Sequence, residues 1–486
     1  MADTKGPTGP PSEFLAACPK FRILVLGNPE STKQELFSKI FGVDLPKKLV
    51  DAAFSGSQGI ETELDLQGQN ERLAIHTSPN FWADDERVYD RVHGFLVSRS
   101  TPSTKQEDRI HCIWYCVASE EQRPVGEVEK RFFNGLGSFA PHVPLVLVFT
   151  KYDEFVSKVK LDWSRDAQEQ GLSKVAVSHI LRDLSSKKFE KQIGKKWDDV
   201  LNETIQRVCV SSGDSEDDTR SFEELAGVTL AGLQHSSVKF AFAAAQRNSA
   251  AISTQFCADT AASYFEVDTG HARKMHGVDM RDILPNFFSK AVQLFNMRDP
   301  AAVLADAALL PRVLDETFDS SQKPLLAECL GRSGTESGTI LLNLSPHERA
   351  VLLAQALAGV VLFLHRLAGA QWPHQDAPGA PSELTQRAMA RELETVRLGR
   401  EKREVLETVE ASTVFTTCSL RKEIADLIVR AIRNADKFEA AHHHGASRAI
   451  VVEDDSELQE ISLSFVNDKG PDDMVLPCGL TILPLN

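Results

Sequence analysis

Several features that would narrow its chemistry are missing from this 486-residue chain. None of its 8 cysteines forms a C-x-x-C pair, so neither a dithiol redox motif nor the usual cysteine spacing of a zinc site is present. Scattered single thiols point instead to a reducing compartment, and a cytoplasmic location is expected. There is no excess of basic residues either. The 54 lysines and arginines face 69 aspartates and glutamates, leaving a net charge of −15. Such a surface cannot release the counterions that drive general nucleic-acid binding, so nucleic acid is excluded as a partner. No apolar run reaches the roughly 20 residues that span a bilayer. The most apolar stretch, Ala350 to Leu364, is flanked by Glu348-Arg349 and His365-Arg366 and reads as a buried helix; membrane contact is the less favoured alternative. Residues 1–19 are rich in proline, glycine and small side chains and hold no signal-peptide apolar segment, so they are read as a disordered tail.

What is present is a polypeptide of globular composition, 42% hydrophobic and 25% charged, long enough for two or three domains. Its most informative stretch is the run Pro144-Leu145-Val146-Leu147-Val148-Phe149, which ends abruptly in Thr150-Lys151-Tyr152-Asp153. The apolar, β-branched run has the pattern of a strand buried on both faces of a parallel sheet. An aspartate just beyond such a strand can accept two hydrogen bonds from the N1 and N2 donors of a guanine base. A lysine two residues earlier can lay its aliphatic stem along base and ribose.

Upstream, Phe21 to Leu26 reads as another buried strand. It leads into Gly27-Asn28-Pro29-Glu30-Ser31-Thr32-Lys33-Gln34, and then a helix with Leu36, Phe37 and Ile40 on one face. A glycine at the turn, backbone N–H groups at a helix start and a lysine are the parts of a phosphate cradle, in the pattern G-x-x-x-x-G-K-[ST]. Gly27 and Lys33 fall in register. Thr32 stands where a second glycine would let the backbone approach phosphate, and a strained backbone there would cost about 1–3 kcal/mol. Gln34 replaces the hydroxyl that ligates Mg²⁺, and Glu30 adds a negative charge.

Three further strands are expected. Glu71 to His76 is followed by Thr77-Ser78-Pro79-Asn80-Phe81, where an Asp-x-x-Gly would hold the metal shell and sense a terminal phosphate; Thr77 and Asn80 do neither, and Phe81 cannot orient a water. Arg109 to Val117 is the next strand, with Cys112 and Cys116 sharing one face. Arg207 to Ser212 is the last, ending in a serine-rich turn.

In this order the segments resemble the G domain of P-loop GTPases, in the Era- and septin-like branch, and especially a set of fungal G-domain proteins. The resemblance covers residues 20–235 and rests on Arg22-Ile23-Leu24-Val25, Phe41-Gly42-Val43, His76, Ser78, Phe81, Ile110 to Cys116 and Thr150 to Asp153. It implies an α/β fold, a mostly parallel sheet flanked by helices, and GTP or GDP as ligand. It places phosphates at Gly27, Ser31, Thr32, Lys33 and Gln34. The base would meet Thr150, Lys151 and Asp153, with Ser211 and Ser212 supporting it. Mg²⁺ is implied as companion ion, although its usual ligands are missing; hydrolysis is expected to be weak or absent, with no residue assigned to catalysis. Two alternatives stay open: a pseudo-GTPase scaffold that binds no nucleotide but holds a protein partner, and a membrane-associated G protein.

An insertion at 154–205 carries Lys187-Lys188, Lys191 and Lys195-Lys196, interleaved with Asp183, Glu190, Asp198 and Asp199, the pattern of a solvated helix face. Residues 236–368 have helical apolar periodicity and are expected to form an all-helical domain. A linker follows at 369–382, a helical arm at 383–441, and a loop and acidic tail at 442–486. The triplet His442-His443-His444 cannot share one face and reads as exposed loop.

Overall fold

The computed structural model describes residues 15–27, 33–46, 59–78, 81, 84–101, 103–120, 124–167, 174–198, 200–201, 205–212, 216–265, 280–297, 299, 302–318, 323, 346–371, 389–390, 393, 401–411 and 423–433. All of these residues belong to one compact unit, which falls within Met1–Ala435. The histidine triplet and the acidic tail lie outside the described residues.

Strands β1 (Phe21–Gly27), β2 (Leu73–Thr77), β3 (Cys112–Ala118), β4 (Leu145–Thr150) and β5 (Gln206–Cys209) form one parallel sheet in the order β2-β1-β3-β4-β5. The chain steps from β1 to β2 in one direction and from β2 onward in the other. Right-handed crossovers therefore put the connecting helices on opposite faces. Helix α1 (Lys33–Phe41) covers one face. Helices α2 (Glu86–Ser100), α3 (Glu127–Phe139), α4 (Tyr152–Ala167) and α5 (Lys174–Phe189) cover the other. Beyond β5, α6 (Glu216–Gly232) and α7 (Ser236–Ala245) return over the face of α1.

The period of two along each strand sorts the core. Phe21, Ile23, Val25, Cys112, Trp114, Cys116, Val146 and Val148 pack under α1, α6 and α7. Leu24, Leu26, Ile113, Tyr115, Leu147 and Phe149 face α2 to α5. The second layer is unusually aromatic. Phe81 sits edge-on to Phe132 (4.9 Å), Tyr115 to Phe133 (5.0 Å) and Phe149 to Phe189 (4.9 Å), each pair adding about 0.5–1.5 kcal/mol beyond its buried area. In the insertion, Lys187 pairs with Asp183 (2.7 Å) and Lys188 with Asp162 (3.4 Å).

The remaining helices gather around α11 (Pro346–Gln371), which runs three residues past 368 because Gly369 and Ala370 do not break it. Helices α8 (Ala250–Ala262), α9 (Met280–Phe295), α10 (Leu309–Thr317) and α12 (Glu401–Glu410) pack on it. Ala350–Gly369 is the one candidate span among the described residues, and 83% of it is buried inside the bundle. Its apolar surface is thus used for packing between helices.

A single buried amide stitches this bundle to the sheet. Asn70, 3% exposed, donates to the carbonyls of Phe41 (2.9 Å) and Ala245 (2.8 Å). Its Oδ1 accepts from the Arg72 N–H and from Asn296 Nδ2, both at 3.1 Å. Alongside, the Arg247 N–H donates to the Ile40 carbonyl (2.7 Å), and Phe242 lies edge-on to Phe21 (4.9 Å).

Candidate functional site

All five strands run parallel, so their carboxyl ends share one edge. Open α/β sheets bind ligands outside that edge, at the point where the strand order reverses. Here the reversal falls between β1 and β3, and Gly27 stands on it. Its φ of +98° is one that side chains rarely adopt, and a Cβ there would lie 2.0 Å from the Cys116 carbonyl oxygen. Only glycine fits between the two strands.

The loops after β4 and β5 are locked together. The Tyr152 N–H donates to the Val210 carbonyl (3.1 Å) and the Val210 N–H to Phe149 (2.8 Å), extending the pairing beyond the sheet. Lys151 holds a left-handed backbone, φ 57°, a conformation that costs a non-glycine residue about 1–3 kcal/mol and clusters at ligand sites. This turn brings Asp153 round so that Oδ1 accepts the Ser212 N–H at 3.1 Å. Lys151 Nζ lies 3.3 Å from Glu154, with about a third of its side chain exposed. The Ser211 N–H is satisfied by Ser221 Oγ of α6 (3.2 Å).

Helix α1 reaches the same cluster. Glu35, in its first turn, hydrogen-bonds the Ser212 side chain and stands within electrostatic range of Asp153, Lys39 and Lys151. Burial raises its pKa above the usual carboxylate value; the Ser212 hydrogen bond opposes that rise, Asp153 adds to it, and the two lysines oppose it. Its Oε2 is buried with no partner. Two hydroxyls at the same edge share that condition: Ser78, just past β2, and Ser119, just past β3, are fully buried and their Oγ atoms are unpaired.

Among the residues expected from sequence, Asp153, Lys151, Ser211 and Ser212 therefore come together, and α1 delivers its first turn to them. Thr150 serves a different purpose. It is fully buried and its Oγ1 donates to the Val117 carbonyl (3.4 Å), so it ties β4 to β3. Gln34 turns its amide nitrogen to the Leu45 carbonyl (2.8 Å). Ser31, Thr32, Asn80 and the side chain of Lys33 lie outside the described residues. Phe81 is 1% exposed in the aromatic layer. Glu35 and Ser119 were not singled out in the sequence. Glu35 had a signal, being two residues beyond Lys33 on the helix that the phosphate pattern opens. Ser119 had none.

At two positions where the resemblance implies Mg²⁺ ligands, the described side chains differ from the usual ones. Gln34, at the position of the ligating hydroxyl, directs its amide nitrogen to the Leu45 carbonyl, and Thr77 offers no carboxylate. Among the described residues no three His, Cys, Asp or Glu side chains gather to hold a metal ion. The edge offers acceptors in Glu35 and Asp153, and groups that both donate and accept in the serine hydroxyls.

Comparison with protein-family models, characterised proteins and solved structures finds no match for this chain.

Proposed function

We propose that this protein binds guanine nucleotides through a degenerate P-loop G domain whose hydrolysis is weak or absent. The strand order alone is shared with other doubly wound sheets, so the base-reading residues carry the assignment. The observation that supports it most is the bond from the Ser212 N–H to Asp153 Oδ1. It fixes the carboxylate between two loops at the carboxyl edge, where its second oxygen can meet the N1 and N2 donors of guanine. Gly27 at the strand reversal and the first turn of α1 supply the adjoining phosphate side. Weak hydrolysis follows from Thr77 and Phe81, which provide neither metal ligand nor water-orienting group. A cytoplasmic location belongs to the same proposal.

The scaffold reading draws support from one specific feature, the Gln34 amide held by Leu45, because it turns a phosphate-loop position toward the fold itself. Titrating purified protein with fluorescent GDP and GTP, with and without Mg²⁺, separates the two. Saturable binding below about 1 mM, displaced by unlabelled GDP but not ADP, supports nucleotide binding. Absence of binding at millimolar ligand supports the scaffold. The membrane reading is disfavoured by the burial of α11 in its bundle; liposome flotation tests it.

A further inference from the structure

The amino end of the sheet, opposite the candidate site, carries a group of basic side chains. The segments entering β3 and β4 bring Arg109 and His142 there, and the turn from α6 into α7 brings His235. With His111 and Ser100, the last residue of α2, they line a cavity of about 30 Å³. That volume admits a small ion or roughly two waters. His142 and His235 are exposed at its rim, and Arg109 is half-buried.

No carboxylate is among the described residues that line this cavity, although the chain as a whole has a net charge of −15. The acids just before Arg109 are engaged elsewhere, Glu107 with Lys105 (3.5 Å) and Asp108 with Arg99 (4.0 Å). Burial, then Arg109 and His142, holds the His235 pKa below its ordinary value. The groups acting on that imidazole are thus all basic, and an anion is what balances them.

The donors converge on the same space. Arg109 Nε donates to the Thr104 carbonyl (2.8 Å), which anchors the guanidinium beside the cavity. Helix α7 is 10 residues long and starts here; His235, at its N-cap, makes no capping bond, so an external acceptor can meet the N–H groups of the first turn. Ser100 is an independent sign of a ligand. Its Oγ is buried and has no hydrogen-bond partner, a costly condition for a hydroxyl. His111 is wall and not ligand, because its ring nitrogens are taken by the Arg22 N–H and the Gln106 carbonyl.

We propose that this cavity binds a small oxyanion of the phosphate or sulfate class, held by Arg109, His142, His235 and the first turn of α7, with Ser100 donating from the wall. The site lies at the other end of the sheet from the guanine reading and stands independently of it.

The test is calorimetric titration of the full chain with sulfate, whose charge is constant between about pH 5.5 and about pH 8 while imidazoles titrate. Wild type is expected to bind sulfate saturably, at least about tenfold more tightly at the lower pH. Chloride at equal ionic strength should bind at least about tenfold more weakly than sulfate. The double variant His142→Gln, His235→Gln, changed at exposed positions, should lose the pH dependence. Arg109→Gln should weaken sulfate at least about tenfold at either pH; if it does not fold, the histidine variant decides. Inorganic phosphate and glycerol phosphate, compared at one pH, tell a free ion from the end of a larger molecule, and tighter binding of either supports the site. No saturable sulfate binding at millimolar concentration overturns the proposal. So does chloride binding as tightly as sulfate, or a pH dependence unchanged in the histidine variant.

Discussion

Asp153 and Ser212 lie 59 residues apart in sequence and meet at 3.1 Å, carboxylate oxygen to backbone N–H. The bond has two consequences. It orients the carboxylate toward the sheet edge, and it closes the loops after β4 and β5 onto each other. Substituting Asp153 by Ala should therefore abolish guanine-nucleotide binding and destabilise the fold by about 1.5–3 kcal/mol, the worth of one hydrogen bond to a charged group. Asp153→Asn, which keeps an acceptor but presents a donor to the base, should lower guanine affinity about tenfold or more while retaining most of the stability. Urea unfolding beside the ligand titration separates the two effects. Undiminished guanine binding by both variants would remove Asp153 from the site.

Gly27 offers a prediction independent of any ligand. A Cβ added there would meet the Cys116 carbonyl at 2.0 Å, on a backbone with positive φ. Gly27→Ala should cost about 3 kcal/mol or more in stability, because β1 and β3 must separate to admit it. A loss below about 1 kcal/mol in urea unfolding would contradict the register of these strands.

His111 should give the fold an acid limit. Its Nδ1 accepts the Arg22 N–H (2.9 Å) and its Nε2 donates to the Gln106 carbonyl (2.9 Å), so only the neutral ring satisfies both. Burial, chiefly, pushes its pKa down from 6.5 to about 4. The unfolded chain takes up this proton first as pH falls. The contribution is fully present above about pH 6.5 and is lost progressively down to about pH 4, amounting to about 3 kcal/mol. His111→Ala should be less stable than wild type at neutral pH, leaving the Arg22 N–H unpaired, and should show a flatter stability profile across that window. Parallel profiles for the two proteins would contradict the assignment.

Asn70 holds sheet and bundle together through both ends of one amide. Asn70→Ala strips the donors from the Phe41 and Ala245 carbonyls and the acceptor from Asn296. A loss of about 3 kcal/mol is expected. Hydrogen exchange should show the added opening concentrated at the ends of α1, α7 and α9. A uniform increase across the protein, or none, would contradict the linking role.

Much of this arrangement could be read from the chain because strand patterning is local. The apolar runs at Phe21–Leu26 and Leu145–Phe149 announced β1 and β4, and the shared parity of Cys112 and Cys116 put both on one face of β3; the structure shows that face to be the one under α1. Phosphate-loop spacing located α1, and two lysines of the insertion pair with acids, Lys187 with Asp183 one turn before it and Lys188 with Asp162 on α4. What escaped was long-range. Nothing near Glu35 foretells that Ser212 will arrive beside it, since that depends on the β5 loop folding back to α1. Thr150 belongs to a sequence motif, yet its hydroxyl serves the strand pairing with Val117. Asn70 looks like an ordinary turn residue, and its bonds join segments up to 226 residues apart.

The central claim is that a guanine base is read at the edge formed by Asp153 and Ser212. Equilibrium dialysis of the full chain against radiolabelled guanosine and adenosine, with Asp153→Ala alongside, tests it most directly. Saturable uptake of guanosine by wild type, at least about tenfold stronger than adenosine and lost in the variant, is the predicted result. Equal uptake of the two nucleosides, or none of either at millimolar concentration, would contradict it.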